Sequence, residues 1–134
     1  MTRTLVDANV VIDYLRPDTD WFDWAASALS AAANAGAVVI NPIVYAEVSL
    51  AFTRIDDVEL ALPRDYFIWA PLPREAAFLA GKVFQKYRRR GGRRSSPLPD
   101  FFIGAHAAVA GMTLLTRDAR RYRTYFPRLE IIAP

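Results

Sequence analysis

The sequence predicts an α/β fold: one domain in which a parallel sheet of four to five strands is flanked by helices on both faces. Three observations predict it. Short apolar runs alternate with longer stretches of helical periodicity along the chain. At 134 residues, with neither a repeat nor a domain-sized linker, the chain fits a single core, so the domain is taken as residues 1–134. A composition 53% hydrophobic and 23% charged is that of a folded protein and argues against disorder.

The elements follow in order. Thr4, Leu5 and Val6 read as a first strand, and Ala37 to Ile40 as a second. Between them Trp21, Trp24, Ala25, Ala28, Leu29 and Ala32 recur at helical spacing. Asn41 followed by Pro42 is a helix start, with the cap residue before a proline at the first helical position, and this helix is expected to run through Arg54. A third strand is expected within FIWAPL. Pro73 and Glu75 open a helix that should carry Phe78, Leu79, Val83, Phe84 and Tyr87 towards the core before ending in the loop RRRGGRRSSPLP. Pro99 and Asp100 start another, stopped by Gly111; MTLLT and LEIIA read as the last two strands. Helices regularly separating strands imply right-handed crossovers and a parallel sheet.

Composition narrows the function. There is no Cys, which excludes disulfides and thiolate metal sites and suits the cytoplasm. Asp7 and Asp13 break the first apolar run, so no secretory signal is expected, and no stretch reaches the roughly 18 apolar residues of a membrane span. The net charge is only +3, yet of seventeen Lys and Arg only Lys82 and Lys86 are lysine. Arg88, Arg89, Arg90, Arg93 and Arg94 crowd one stretch, and guanidinium forks suit phosphate, so a polyanion such as RNA is a candidate partner. The same run also reads as a solvated loop.

Four carboxylates stand where apolar residues would be expected. Asp7 ends the first strand, and Asp118 lies just past the end of MTLLT. In a sheet of this kind ligands bind beyond the carboxyl ends of the strands, where the winding reverses. Glu47 has Ile43, Val44, Leu50 and Ala51 as its helical neighbours, so it points into an apolar face, where an unpaired ionised Glu is rare. Asp100 opens a helix whose next inward positions are Ile103, Gly104 and Ala107. Singly, Asp100 and Asp118 read equally well as helix N-terminal residues and Asp7 as a turn residue. Together they conflict: two carboxylates about 4 Å apart repel by roughly 4 kcal/mol at an effective dielectric near 20. A divalent cation removes that conflict, and oxygen-only ligands point to Mg²⁺ or Mn²⁺ rather than zinc.

Taken in order, VDANVVIDYL, NPIVYAEV, PDFFIGAHA and LLTRDARRY resemble the PIN-domain ribonucleases, and among them the VapC-type toxins of toxin–antitoxin pairs. The resemblance covers nearly the whole chain. It implies that Asp7, Glu47, Asp100 and Asp118 hold Mg²⁺ or Mn²⁺ for hydrolysis of RNA, leaving a 5′-phosphate and a 3′-hydroxyl. It also implies that Asn9 orients the first acid and that Thr116 lines the pocket. A homodimer and a cognate antitoxin are the implied protein partners, and no membrane is involved. Whether the role is that of a toxin or of a housekeeping RNA-processing nuclease stays open.

Other features are weighed against this reading. His106, the single histidine, lies six residues beyond Asp100 and reads as a packed or exposed helix residue. Asp13 reads as a surface residue or as a support for the site. Trp21, Phe22 and Trp24 form a candidate partner surface, since aromatics are enriched at interfaces. A haloacid-dehalogenase-like phosphatase would carry an Asp two positions after the first and a downstream Lys; here Asn9 holds that position, and Lys82 and Lys86 lie mid-helix. A response-regulator receiver lacks the same Lys, and no glycine-rich phosphate loop is present. A basic adaptor that binds RNA or protein without cutting is the non-enzyme alternative, but it has no use for a buried acid.

Overall fold

The sheet is built outward from the first strand of the chain. In the computed structural model, which describes residues 2–92 and 97–134, strand β1 (Thr2–Val6) lies at the centre. Helices α1 (Ala8–Tyr14) and α2 (Phe22–Ala35) lead to β2 (Gly36–Ile40), and α3 (Pro42–Ser49) and α4 (Ile55–Ala61) lead to β3 (Phe67–Trp69). Helices α5 (Arg74–Arg89) and α6 (Leu98–Ala110) then precede β4 (Thr113–Leu115), and α7 (Arg120–Tyr125) precedes β5 (Ile131–Ile132). The strand order is β3-β2-β1-β4-β5 and every pairing is parallel.

The expected α/β architecture is therefore present, with five strands. Leu5, Val6, Val38, Val39, Ile40, Leu114 and Leu115 are all buried, as strands covered on both faces require. Winding runs one way from β1 through β2 to β3, then crosses to β4 and continues the other way to β5. The reversal falls between β1 and β4, and their carboxyl ends define the rim where a ligand site is expected.

Several boundaries differ from expectation, each for a local reason. Asn41 caps α3 as foreseen, its Oδ1 accepting from the Val44 N–H at 2.9 Å. The helix stops at Ser49 rather than Arg54. The Ser49 hydroxyl donates back to the Tyr45 carbonyl at 2.7 Å, a bond that weakens a helix from within, and Asp56 and Asp57 favour the start of a new one. The third strand keeps only Phe67–Trp69 of FIWAPL; it is an edge strand with Ile68 and Trp69 exposed. Arg88 and Arg89 extend α5 and Arg90 caps it, so the first arginines of the run are helical. The expectations for Arg93 and Arg94 lie outside the described residues. Phe78 is 68% exposed, not core; Ala76, Ala80 and Val83 make the buried stripe of α5. Gly111 stops α6 as expected, in the left-handed conformation (φ 67°) that glycine takes without strain. Among the described residues no helix is long and apolar enough to cross a membrane.

Candidate active site

The β1 chain leaves the sheet at Asp7, whose N–H still donates to the Leu115 carbonyl at 2.8 Å. That bond fixes the backbone of Asp7 against β4. Its side chain caps α1, with Oδ1 accepting from the Ala8 N–H at 2.8 Å. Oδ2 accepts from the Thr116 hydroxyl and from the Tyr122 hydroxyl, each at 2.9 Å. Asn9 stands farther off, its Nδ2 at 3.5 Å from the same oxygen and 3.4 Å from Thr116 Oγ1, while its Oδ1 accepts from the Arg117 N–H at 3.1 Å. Thr116 Oγ1 in turn accepts from the Asp118 N–H at 3.2 Å. One hydrogen-bond network thus ties the end of β1 to the turn after β4.

The four acids picked out in the sequence meet here. Asp7, Glu47, Asp100 and Asp118 line a single cleft of about 270 Å³, together with Asn9, Ile12, Leu50, Arg121 and Tyr122. Glu47 comes from α3, Asp100 from the first turn of α6, and Asp118 from the loop before α7. Glu47 is only half-buried, because its neighbours Leu50 and Ala51 are exposed where α3 ends. One of its carboxylate oxygens, Oε1, is nevertheless buried and has no hydrogen-bond partner among the described residues. Asp100 Oδ2 pairs with Arg121 Nη1 at 2.7 Å.

The acids disturb one another's ionisation. Burial pushes the Asp7 carboxyl up to about 6; the Thr116 hydroxyl opposes the shift, the Asp100 charge adds to it, and the Tyr122 hydroxyl and Ala8 N–H oppose it. Glu47 is pushed up to about 7, first by burial and then by the charges of Asp7 and Asp100, with no hydrogen bond opposing. Asp100 is also raised by burial, against the pull of Arg121 and the Tyr122 hydroxyl. Burial and the surrounding acids hold the Tyr122 hydroxyl protonated, which keeps it a donor.

The donor set fits a hard divalent cation: it is all oxygen, it carries an orphaned buried oxygen on Glu47, and its charges repel. As the side chains stand, no group of three or more His, Asp or Glu among the described residues is gathered tightly enough to hold a metal ion. Two acids are otherwise engaged, Asp7 by hydroxyls and Asp100 by Arg121.

The supporting residues sort differently from expectation. Asn9 and Thr116 both join the network. Asp13 is buried rather than a surface residue; its Oδ2 lies 3.1 Å from Arg117 Nε, an ion pair without hydrogen-bond geometry, and it steadies the residue next to Asp118. His106 is buried and structural. Its Nδ1 lies 3.0 Å from Asn41 Nδ2, and because Asn41 Oδ1 is committed to the α3 cap, Nδ1 accepts and the ring is neutral. Burial first, and then Arg3, lower its pKa in the same sense. Tyr122 and Arg121 were missed: a tyrosine on a short helix reads as core, and an arginine among arginines reads as solvated.

A family model, that of the PIN domain, matches residues 4–127. The chain belongs to the PIN-domain family. The PIN domain is a nuclease fold. No curated protein matches the chain in sequence. Solved structures share the fold. A chain of VapBC2 from Rickettsia felis, bound to a fragment of promoter DNA, is similar over 99% of both chains at 16% identity, with a TM-score of 0.77. VapBC-1 from nontypeable Haemophilus influenzae is similar over 98% of both chains at 14% identity and a TM-score of 0.74. FitAcB from Neisseria gonorrhoeae follows at 18% identity over 96% of both chains, with a TM-score of 0.70.

Proposed function

We propose that this PIN domain is a Mg²⁺- or Mn²⁺-dependent endoribonuclease of the VapC type, the toxin of a toxin–antitoxin pair. The observation that carries the catalytic reading is Glu47: a buried, unpartnered carboxylate oxygen in the same cleft as three more acids. Such a cluster is unfavourable unless a cation is shared among its members. Asp7, Glu47, Asp100 and Asp118 would hold it. The chemistry such an ion supplies when bound is activation of water and neutralisation of charge on a phosphodiester, giving a 5′-phosphate and a 3′-hydroxyl. The chain's own part is to hold Asp7 in one orientation through Thr116 and Tyr122 and to keep Asp118 in place through Thr116. Among the described residues no lysine lines the cleft, which weighs against a dehalogenase-like phosphatase.

The partners follow from the same reading. Arg88, Arg89 and Arg90 end α5 exposed, a surface suited to a phosphate backbone, with Arg93 and Arg94 following in the sequence. Neighbours in structure include a toxin–antitoxin complex and a member of the VapBC family of toxin–antitoxin systems, which supports a cognate antitoxin here. Exposed Trp21, Ile55, Leu60, Ile68 and Trp69 offer apolar area for the antitoxin and for a homodimer. A cellular RNA substrate would put the activity in the cytoplasm.

The test is cleavage of total RNA with and without Mg²⁺ or Mn²⁺, comparing wild type with Asp7→Asn and Asp100→Asn. Metal-dependent cleavage lost in both variants is expected; equal cleavage by all three would mean a contaminating nuclease and end the assignment. Replacing Arg88, Arg89 and Arg90 with Ser should weaken RNA binding and flatten its salt dependence by about 0.7 per lost phosphate contact on logarithmic axes. An unchanged slope would remove these arginines from the RNA path.

A further inference from the structure

Arg121 is the one cation lining the acid cleft among the described residues. Its Nη1 meets Asp100 Oδ2 at 2.7 Å, and both side chains are only partly exposed, 37% for Arg121 and 29% for Asp100. A guanidinium has five donors in a planar fork, and this pair uses one of them. The contrast with Arg117 is informative. Arg117 is tied to Asp13, which lies outside the cleft, so its anchor is never claimed by a ligand of the acids. Arg121 is tied to a member of the acid set itself. Any cation shared by the acids competes with it for Asp100.

We propose that Arg121 is the resident counter-ion of the cleft: it neutralises Asp100 until a divalent cation binds, and once displaced it contacts the phosphodiester of the substrate. The inference rests on the nuclease reading and adds a phosphate-binding residue to it. It accounts for two observations at once: the acids share a cleft yet no three of them gather around one point, and Asp100 faces a cation from its own chain. Arginine suits the second role because its fork matches phosphate oxygens and its charge is permanent.

The experiment measures Mn²⁺ binding to the full chain without RNA, by calorimetry, for wild type, Arg121→Ala, Arg121→Lys and Arg120→Ala. Arg121→Ala should bind Mn²⁺ more tightly than wild type by roughly two- to fivefold, the worth of a partly exposed ion pair that no longer has to be broken. Arg120→Ala removes the same charge from an exposed position on the same turn and should change the affinity far less. At saturating Mn²⁺, Arg121→Ala should raise KM for RNA by roughly tenfold, with a smaller change in kcat, and Arg121→Lys should recover part of the loss. Unchanged or weaker Mn²⁺ binding by Arg121→Ala, or an equal gain in Arg120→Ala, overturns the proposal while leaving the nuclease standing. A wild type that neither binds Mn²⁺ nor cuts RNA removes both.

Discussion

The two walls of the cleft are built on opposite terms. The strand wall, from the ends of β1 and β4, carries Asp7 in a shell of donors: the Ala8 N–H and the hydroxyls of Thr116 and Tyr122. The helix wall carries Glu47 on α3 and Asp100 on α6, one with a buried oxygen that has no partner, the other leaning on Arg121. Burial is the first cause of the raised pKa of Asp7 and of Glu47 alike. What differs is the compensation. Asp7 is oriented by the protein's own donors, whereas Glu47 keeps a buried oxygen with no partner among the described residues. One wall supplies geometry and the other supplies demand for charge.

The strongest way to break this contrast is at Asp7. Asp7→Asn keeps an oxygen for the α1 cap and turns its amide NH2 towards the two hydroxyls, which can rotate to accept from it, so the melting temperature should hold. It removes the oriented charge, and RNA cleavage should fall by on the order of 100-fold or more. A variant that melts much lower would show Asp7 to be a structural residue. Next in size is Tyr122→Phe, which strips one donor from Asp7 Oδ2. Cleavage should fall by roughly 10- to 100-fold, as for other residues that orient a ligand, and the acid limb of the pH–rate profile should move to higher pH. Loss of rate with an unmoved acid limb would mean that Tyr122 acts through packing alone.

The two walls were also unequally legible in the sequence. The strands β1, β2 and β4 were plain because sheets covered on both faces demand continuous apolar runs. Asp7 and Glu47 stood out against that background, since a carboxylate among apolar neighbours has no cheap local explanation. The exposure of Leu50 and Ala51 was hidden: the 3.6-residue period carries on past Ser49, and only the back-bond to Tyr45 and the acidic first turn of α4 end the helix. Tyr122 and Arg121 were hidden for another reason. Their roles depend on where α7 lands against Asp7 and Asp100, more than 100 and about 20 residues away in sequence. Periodicity describes an element's own face, not the residue opposite it.

A smaller effect sharpens the comparison at the helix wall. Glu47→Gln removes a charge that burial and two neighbouring acids oppose, so the metal-free protein should gain stability, on the order of 1 kcal/mol after allowing for the water that reaches half the side chain. Urea unfolding in the presence of EDTA measures it. A loss of stability would mean that the orphaned oxygen is satisfied by water and that the ionised Glu47 does not strain the cleft.

The smallest effect is the pH dependence of that stability, and its sign separates the two states of the site. Asp7 and Glu47 ordinarily titrate at 3.8 and 4.5 and are raised in the fold to about 6 and about 7. Between those values the folded chain holds protons that the unfolded chain has released, so stability falls as pH rises. The loss is complete once both acids are ionised in the fold, above about pH 8. In EDTA, the melting temperature should therefore decline from about pH 5 to about pH 8, and the decline should be largely absent in the Asp7→Asn, Glu47→Gln double variant. With saturating Mg²⁺ the slope should reverse, because a cation binds the ionised carboxylates and releases their protons. A slope unaffected by both the double variant and the cation would place the titrating groups elsewhere in the chain.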